Sequence, residues 1–352
     1  ITYTMKVAII TDQHFGARKS SRIFHDFFKK FYRNVFFPTI KKRGIDTVLD
    51  LGDTFDNRRN LDLWAAQWAT HNYFDVLKDM GVKVHALVGN HTAYFKDTNL
   101  VNTLQSVLSQ YENITIYDKA TEVTIGGLPI LFIPWINSQN HDETYALIEK
   151  TDCPFAMGHL ELNGFEAHRG YIMDHGDSTA PYRKFEKVFS GHYHQQSSRE
   201  NITYLGNPYQ IYWNDYNSKR GFHIFDTETK KLEFIPNPYE IYAKIYYNED
   251  KLNSSKFKYI DFANNFIKII VEKKTDPDKF EFFISQLYAA GVHEIKVIED
   301  PSFEQDINEE IDIEKEDTLT ILEKYVDDIE YNDKTALKSI LKSLYVEALE
   351  LA

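Results

Sequence analysis

Five short polar motifs carry residue types that bind divalent metal ions. In chain order they are Asp12-Gln13-His14, Gly52-Asp53-Thr54-Phe55-Asp56, Gly89-Asn90-His91, Gly158-His159 and Gly191-His192-Tyr193-His194. Carboxylate, imidazole and amide oxygen without thiolate suit borderline-hard ions such as manganese. Two such ions, ~3.5–4 Å apart, need a bridging carboxylate and several terminal ligands. The motifs therefore predict a dinuclear metal centre, with Asp53 as the candidate bridge and Asn90 offering an amide oxygen.

Each motif taken alone has an ordinary explanation. Asp12 and His14 could be turn residues, and a lone histidine is more often structural than a ligand. The combination is specific, because five motifs follow one another and each stands where a predicted strand ends. The single cysteine, Cys153, excludes a disulfide framework and a cysteine-based zinc cluster, and is predicted to be a small buried apolar residue.

Strands must position these motifs, and short apolar runs precede them. Residues 7–10, 47–51 and 82–88 lead into the first three motifs, and 155–157 and 188–189 lead into the last two. Strand ends at one edge of an α/β sheet point into a common crevice. The glycine beside the polar residue in four motifs permits tight turns and close approach. We therefore expect side chains from distant parts of the sequence to share one site.

Two helices are predicted between these strands, over 21–42 and 62–80. The apolar positions of the first recur at helical spacing and are Phe24, Phe27, Phe28, Phe31 and Phe36. Pro38 is predicted to end or kink this helix. Such an aromatic stripe could be a partner surface, but a core face is the favoured interpretation.

Four segments are distinguished along the chain. Alternating strands and helices, followed by β-rich segments, predict a layered α/β domain over residues 1–237. A strand–helix–strand pattern predicts a small α+β domain over 238–298. Acidic residues dominate 299–317, which is predicted to be a linker, and two amphipathic helices are predicted over 318–352.

The net charge of −13 argues at first against a nucleic-acid partner, because phosphate backbones attract Lys and Arg. Residues 299–352, however, hold 17 acidic and 5 basic residues, and residues 1–298 hold 36 acidic and 35 basic residues. The acidity therefore belongs to the end of the chain, and the body is nearly neutral. An apolar fraction of 43% with 15% aromatics excludes a disordered chain.

No stretch approaches the ~18–20 uninterrupted apolar residues of a membrane span. The first predicted strand begins almost at once, with no secretory signal pattern before it. We therefore expect no membrane association and a cytoplasmic location.

Together the motifs resemble the calcineurin-like metallophosphoesterase superfamily, whose pattern is D-x-H, G-D-x-x-D, G-N-H, G-H and G-H-x-H. Three further stretches are similar to its DNA-repair nuclease branch: Asn57-Arg58, the residues 158–165 and the residues 204–208. That branch contains SbcD, the meiotic-recombination-eleven nucleases and, most similar, the recombination nuclease subunits of T4-like phages. The resemblance covers about residues 5–240 and implies a layered β-sandwich flanked by helices, with a small α+β cap domain and C-terminal helices.

The resemblance also implies a role for each site residue. The first metal ion would be held by Asp12, His14, Asp53 and His194, and the second by Asp53, Asn90, His159 and His192. His91 would be a catalytic group facing the phosphate, and the carboxylate of Asp56 would orient His91 and favour its protonated form. Thr92 stands where the family usually has an acidic residue.

The function that the resemblance implies is a DNA nuclease. It would be a manganese-dependent 3′–5′ duplex exonuclease and endonuclease, with magnesium as the alternative ion, using two metals and His91 as the leaving-group acid. It would be a subunit of a recombination and double-strand-break repair complex. The C-terminal helices would dock on the coiled-coil root of an SbcC-type ABC ATPase, and the chain would form a homodimer in the host cytoplasm if it is encoded by a phage.

Arg58 and Arg59 lie beside the second motif and are candidates for contact with DNA phosphates, as are Arg18, Lys19 and Arg22 near the first. An ordinary solvated surface is the alternative explanation. Two other functions remain open at this point. One is a calcineurin-like phosphatase or small phosphodiesterase, and the other is a non-catalytic DNA-end-binding or scaffold subunit that retains the pocket.

Overall fold

The computed structural model describes residues 5–168, 170–252 and 256–299, together with Val326, Lys334, Leu337, Lys338, Ile340 and Leu341. The chain divides into two compact units, Ile1–Glu299 and Asp300–Ala352. The predicted linker, apart from Glu299, and most of the predicted helix pair lie outside the described residues. The predicted domain boundary at 237 lies inside the first unit and stays a prediction.

The first unit contains seventeen strands among its described residues. In its first half they are β1 Lys6–Ile10, β2 Thr47–Asp50, β3 Lys83–Leu87, β4 Ile114–Tyr117, β5 Thr121–Ile125, β6 Leu128–Ile133, β7 Phe155–His159, β8 Glu166–His168 and β9 Tyr171–Ile172. In its second half they are β10 Lys187–Gly191, β11 Ser197–Arg199, β12 Ile202–Tyr204, β13 Gly221–Asp226, β14 Leu232–Pro236, β15 Tyr242–Asn248, β16 Phe266–Lys273 and β17 Glu294–Ile298.

The helices of this unit are α1 Arg22–Phe31, α2 Phe37–Lys42, α3 Leu63–Ala69, α4 Asp75–Asp79, α5 Thr103–Leu108, α6 His141–Lys150 and α7 Pro277–Ala289. A π-helical turn, Tyr32–Phe36, joins α1 to α2, and a second, Thr70–Phe74, joins α3 to α4. Pro38 therefore does not end the first helical segment, because it stands in the first turn of α2, where a backbone N–H is dispensable.

Two six-stranded sheets pack face to face. Their strand orders are β14-β13-β1-β2-β3-β4 and β11-β12-β10-β7-β6-β5. Strand β1 shows why the sheets stack, because alternate side chains point to opposite faces. Val7 and Ile9 belong to the core between the sheets, whereas Ala8 and Ile10 belong to the core under the helices. The predicted layered β-sandwich flanked by helices is confirmed.

The aromatic face of the first helical segment is core. Phe24, Phe28, Phe31 and Phe36 are at most 2% exposed and share one cluster with Tyr73. The favoured interpretation of the stripe is therefore confirmed, and these rings do not form a partner surface.

A third sheet follows the sandwich. Strands β15, β16 and β17 run parallel in that order, and α7 packs its buried Phe283 and Leu287 in the same cluster as the strands. The sequence predicted β16, α7 and β17 but missed β15, whose Lys244 and Tyr246 interrupt its apolar residues. No helix in the described part of the chain is both long and apolar enough to cross a membrane.

Candidate metal centre

All five motifs stand at the carboxyl ends of strands. β1, β2 and β3 are parallel neighbours in the first sheet, and β7 and β10 are parallel neighbours in the second. The carboxyl ends of parallel strands meet at one edge of a sheet. The motifs therefore converge at one end of the sandwich although they are distant in sequence.

The loops after β1 and β2 are joined along their backbones. The N–H of Asp12 donates to the carbonyl of Gly52, and that of His14 donates to the carbonyl of Asp53, both at 2.9 Å. The N–H of Asp56 donates back to the carbonyl of Phe15 at 3.0 Å. These bonds hold the first two motifs in fixed register.

Several candidate ligands have left-handed backbone. The φ angle is 53° at Asp12, 48° at His14, 50° at Asp53 and 87° at His192. Such conformations cost on the order of 1–3 kcal/mol at a residue that has a Cβ, and they cluster at functional sites. The fold therefore maintains strain at four residues that the sequence marked as metal ligands.

Two glycines leave the space that the ligands occupy. A Cβ on Gly89 would lie 2.1 Å from Oδ1 of Asp53, and one on Gly52 would lie 2.4 Å from Nδ1 of His159. Gly52 also has a φ of 108°, which side chains rarely tolerate. The glycines beside the polar residues are thus required for close approach, as the sequence indicated.

Asp12, His14 and His194 form one donor set, with ligand atoms within 4.8 Å of one another. The Nε2 atoms of His14 and His194 are 2.9 Å apart. Nδ1 of His14 lies 3.1 Å from Oδ1 of Asp56, an ion-pair distance that favours a proton on Nδ1. Histidine ligands commonly give their second ring N–H to a carboxylate or carbonyl in this way, which leaves Nε2 for the metal.

Asp53, His159 and His192 form a second donor set, also within 4.8 Å. Nδ1 of His159 donates to the carbonyl of Leu51 at 2.8 Å, since a carbonyl can only accept. In the neutral ring the lone pair on Nε2 then faces two oxygens, Oδ1 of Asn90 at 2.9 Å and Oδ2 of Asp53 at 3.1 Å. A neutral ring therefore needs a cation between Nε2 and these oxygens, whereas a protonated ring donates to them directly.

The electrostatics of the second set favour an ionised carboxylate. Burial alone would raise the pKa of Asp53, but the imidazoles of His159 and His91 hold it well below its usual range. Burial alone would lower the pKa of His159, but the charge of Asp53 raises it to about 9. Asp53 is thus held ionised in a site that favours positive charge.

His91 is half-buried at the edge of both sets. Its N–H donates to Oδ1 of Asp53 at 2.9 Å, and its Nδ1 donates to the main-chain carbonyl of Asp56 at 2.5 Å. The family resemblance implied that the carboxylate of Asp56 orients His91. The structure gives that hydrogen bond to the carbonyl instead, and places the carboxylate 3.1 Å from His14, because the loop turns at Asp56.

Two of the candidate DNA-contacting arginines lie in the loop after Asp56. Arg59 is exposed and Arg58 is half-buried. Arg18 lies over the ring of Tyr212, whose plane is nearly parallel to that of His194. These positions place positive charge along the chain segments that border the donor sets.

Sequence reasoning missed two residues beside the second donor set. The ring of Trp135 is centred 5.1 Å from that of His192, and Oε1 of Glu161 lies 3.7 Å from Nε2 of His192. The position of Trp135 could have indicated its role, because it follows β6, which is parallel to β7 and ends at the same edge of the sheet. Glu161 lies in a stretch that carried the family resemblance, but nothing marked its side chain.

Sequence reasoning also missed the buried groups that support the ligands. The buried Asp50 accepts hydrogen bonds from Gln13 at 2.8 Å and Thr54 at 2.7 Å. These bonds join the first motif to the second. Arg220 is 4% exposed, bonds to Asp215 at 2.8 Å and donates to the carbonyl of His194. These contacts join residues far apart in sequence.

A family model described as calcineurin-like phosphoesterase matches residues 5–196, the part that holds both donor sets. The chain belongs to the calcineurin-like phosphoesterase family. As a member it is a phosphoesterase, and its carboxylate, imidazole and amide donors suit divalent metal ions. The resemblance proposed from the motifs is therefore confirmed.

This calcineurin-like phosphoesterase has a relative that it matches almost end to end. "Exonuclease subunit 1" of Enterobacteria phage T4 is 34% identical over 316 residues, which are 88% of this chain and 90% of the relative. Among solved structures, an archaeal phosphodiesterase is 14% identical, with 66% of this chain and 100% of that chain covered and a TM-score of 0.32. A dimetal phosphatase from Danio rerio is 10% identical, with 66% and 98% covered and a TM-score of 0.38.

Proposed function

We propose that the protein is a manganese-dependent DNA nuclease that cuts duplex DNA as a 3′–5′ exonuclease and as an endonuclease. One observation carries the proposal. The relative named an exonuclease subunit is similar over 88% of this chain, so the similarity extends well beyond the residues that bind metal. The proposal includes a place in a complex that acts in DNA recombination and double-strand-break repair.

Two ions are proposed, one for each donor set. Asp12, His14 and His194 would hold the first, and Asn90, His159 and His192 the second, with Asp53 between them. The donor chemistry supports this, because in both sets a ring Nε2 lies close to a second candidate ligand atom, His194 Nε2 at 2.9 Å in the first and Asp53 Oδ2 at 3.1 Å in the second. When bound, such ions lower the pKa of a water molecule and stabilise charge on phosphoryl oxygens.

His91 is proposed to act on the leaving group. Because Nδ1 donates to a carbonyl, Nε2 is the atom that can carry the mobile proton. The bond from its backbone N–H to Asp53 fixes the residue beside the donor sets. Protonation of a departing sugar oxygen by a positioned imidazole contributes typically ~10²–10⁴-fold to rate.

The experiment that tests the function offers three substrates to the full chain. They are end-labelled duplex DNA, a small phosphodiester and a phosphomonoester, each with manganese, with magnesium and with a chelator. Manganese-dependent shortening of the duplex from its 3′ end is the expected result. Hydrolysis of the phosphomonoester with intact DNA would instead favour a calcineurin-like phosphatase, and hydrolysis of the small diester alone would favour a small phosphodiesterase.

A non-catalytic DNA-end-binding subunit remains the third possibility. All the candidate ligands are present, and the ligand atoms of each three-residue donor set lie within 4.8 Å of one another, which argues against a degenerate site. Elemental analysis decides the matter. Two bound metal ions per chain without hydrolysis of any phosphodiester would establish the non-catalytic alternative.

A homodimer is proposed, but not on the aromatic face of α1, because that face is core. A different apolar surface supports it. Phe95, Leu100 and Val101 are 48%, 68% and 50% exposed in one loop after the third motif. Exposed apolar patches of this kind mark interaction sites. In sedimentation, the wild type should be a dimer and Leu100→Glu should be a monomer.

A further inference from the structure

A small cavity opens beside the second donor set. We call it the Trp135 cavity, and it has a volume of about 180 Å³. Clefts for drug-sized ligands measure ~300–1,000 Å³, so this one suits a single ring system. Its lining includes Trp135, Ile136, Leu160, Glu161, Asp177 and Tyr182.

The cavity and the metal centre share their walls. Leu160 and Glu161 directly follow the candidate ligand His159, and Glu161 approaches Nε2 of His192 to 3.7 Å. The indole of Trp135 is centred 5.1 Å from the ring of His192. A group in the cavity would therefore sit next to a phosphate held at the metal centre.

The indole is held in place by its backbone. The N–H of Trp135 donates to the carbonyl of Val88 at 2.8 Å. Its carbonyl accepts from the side chains of Asn99 at 2.7 Å and Asn140 at 3.0 Å. Asn99 is itself 4% exposed. Because these bonds already order the segment, a ligand would not have to order it on binding.

The polar lining combines two carboxylates with Asn137, Ser138 and His141, which can both donate and accept hydrogen bonds. Glu161 and Asp177 contribute carboxylates, and Asp177 already accepts a bond from Tyr145 at 2.8 Å. The fully buried hydroxyl of Tyr182 has no hydrogen-bond partner of good geometry in the described part of the chain. Two carboxylates repel a phosphate, whereas they accept from N–H groups. A flat ring that carries an amino group fits both the shape and the charge.

We propose that the Trp135 cavity receives one unpaired nucleobase of the strand being cut, stacked on the indole with its exocyclic amino group facing Glu161 and Asp177. This inference rests on the proposed nuclease function, because it names how that site would grip its substrate. Stacking of a base on an aromatic side chain is sequence-tolerant and strengthens binding by roughly 5- to 100-fold. The base would leave its stack most easily at a duplex end.

The experiment compares two duplex substrates that differ only in the terminal nucleotide, one with adenine and one abasic. Wild type should cut the adenine substrate with a kcat/KM roughly 5- to 100-fold above that of the abasic one. Trp135→Leu should abolish this difference, and Trp135→Phe should keep most of it, because the ring remains. Trp64→Leu removes an indole outside the cavity and should keep all of it.

The readout is a ratio, so a change in metal content that slows both substrates equally does not alter it. A difference that survives in Trp135→Leu, or is missing from wild type, would overturn the cavity assignment and leave the nuclease proposal standing. Wild type that hydrolyses bis(4-nitrophenyl) phosphate but leaves every DNA intact would overturn the nuclease proposal, and the cavity assignment with it.

Discussion

At the scale of single residues, the site is built from ring nitrogens whose second nitrogen is already engaged. His159 gives Nδ1 to the carbonyl of Leu51, and His14 places Nδ1 beside the carboxylate of Asp56. Both rings thereby present Nε2 to the interior of the site. With an ion bound, these partners would keep the proton on Nδ1 and leave Nε2 as the ligand atom.

Replacement of His91 by Ala should slow DNA cleavage by about 10²–10⁴-fold, because the leaving oxygen loses its proton donor. Bound manganese should stay near the wild-type amount, since His91 is not proposed as a ligand. Turnover and elemental analysis measure the two quantities. His71→Ala, at an exposed histidine, is the matched control. Full activity of His91→Ala would remove the residue from the mechanism.

Asp56→Asn should act through the metal and not through His91. The carboxylate lies beside His14, whereas His91 is held by the main-chain carbonyl, which the substitution keeps. Loss of a carboxylate behind a ligand typically costs 10–100-fold in metal affinity or activity. We expect manganese titration to shift by that factor while the pH profile at saturating manganese keeps its shape. A changed profile with unchanged affinity would assign the carboxylate to His91.

Arg58 and Arg59 allow a test of DNA contact. Each phosphate contact contributes about −0.9 to the slope of log K against log salt on duplex DNA. Changing both to Ala should flatten the slope by up to ~1.8 in a titration of DNA binding. The control changes Arg183 and Lys187, since Lys187 begins β10 at the end away from His192. An unchanged slope in the first double variant would argue for a merely solvated loop.

At the scale of elements, parallel strands matter more than helices, because their carboxyl ends carry the candidate metal ligands. Strand β13 holds a buried histidine that makes the stability of the folded state depend on pH. His223 on β13 is 6% exposed, and burial lowers its pKa to about 4. Its neighbour across the strand pair is Phe234, at a ring distance of 5.2 Å. The folded state therefore keeps this imidazole neutral.

The consequence is acid sensitivity. Both states leave His223 neutral at high pH, so it has no effect there. Below about pH 6.5 the imidazole is protonated in the unfolded chain, whereas in the folded chain it stays neutral until about pH 4. The free energy of unfolding therefore falls as the pH is lowered from about 6.5 to about 4. The loss amounts to on the order of 2–3 kcal/mol by pH 4.5. Urea unfolding of the metal-free protein at pH 7 and pH 4.5 measures the fall in unfolding free energy between the two pH values. This fall should be smaller in His223→Leu than in wild type by about that amount.

His71→Leu is the control for this measurement, because its side chain is exposed. The same fall in unfolding free energy for wild type and for His223→Leu would show that the buried imidazole is not a source of acid sensitivity.

At the scale of the whole molecule, charge is divided along the chain. Residues 299–352 contain 17 acidic and 5 basic residues, and the preceding body is almost neutral. Two bound divalent ions would make the region of the donor sets more positive than the residue count indicates. An acidic total is therefore compatible with a DNA substrate for the body.

Deletion of 318–352 should abolish binding to the proposed SbcC-type ATPase and spare manganese-dependent DNA cleavage. The amphipathic pattern of this segment supports docking on a partner helix, and the acidic residues before it would serve as a tether. Co-sedimentation with the ATPase and cleavage of end-labelled duplex measure the two effects. Retained binding would place the ATPase contact elsewhere, and lost cleavage would show that the segment supports the catalytic body.

The sequence by itself was sufficient for the fold class and for the residues brought together at the strand ends. Both depend on local information: short apolar runs such as residues 7–10 of β1, and side-chain chemistry next to glycines. It was not sufficient for strand β15, whose polar residues break the pattern, or for the π-helical turn before Pro38.

Only the tertiary structure decided which groups surround the ligands. Trp135 and Glu161 meet His192, and Arg220 reaches the carbonyl of His194, through pairing of strands distant in sequence. It also decided that the carbonyl of Asp56, and not its carboxylate, holds Nδ1 of His91. The physical reason is that residue type and spacing fix which atoms are offered, whereas backbone direction at a turn and contacts between sheets fix where those atoms lie.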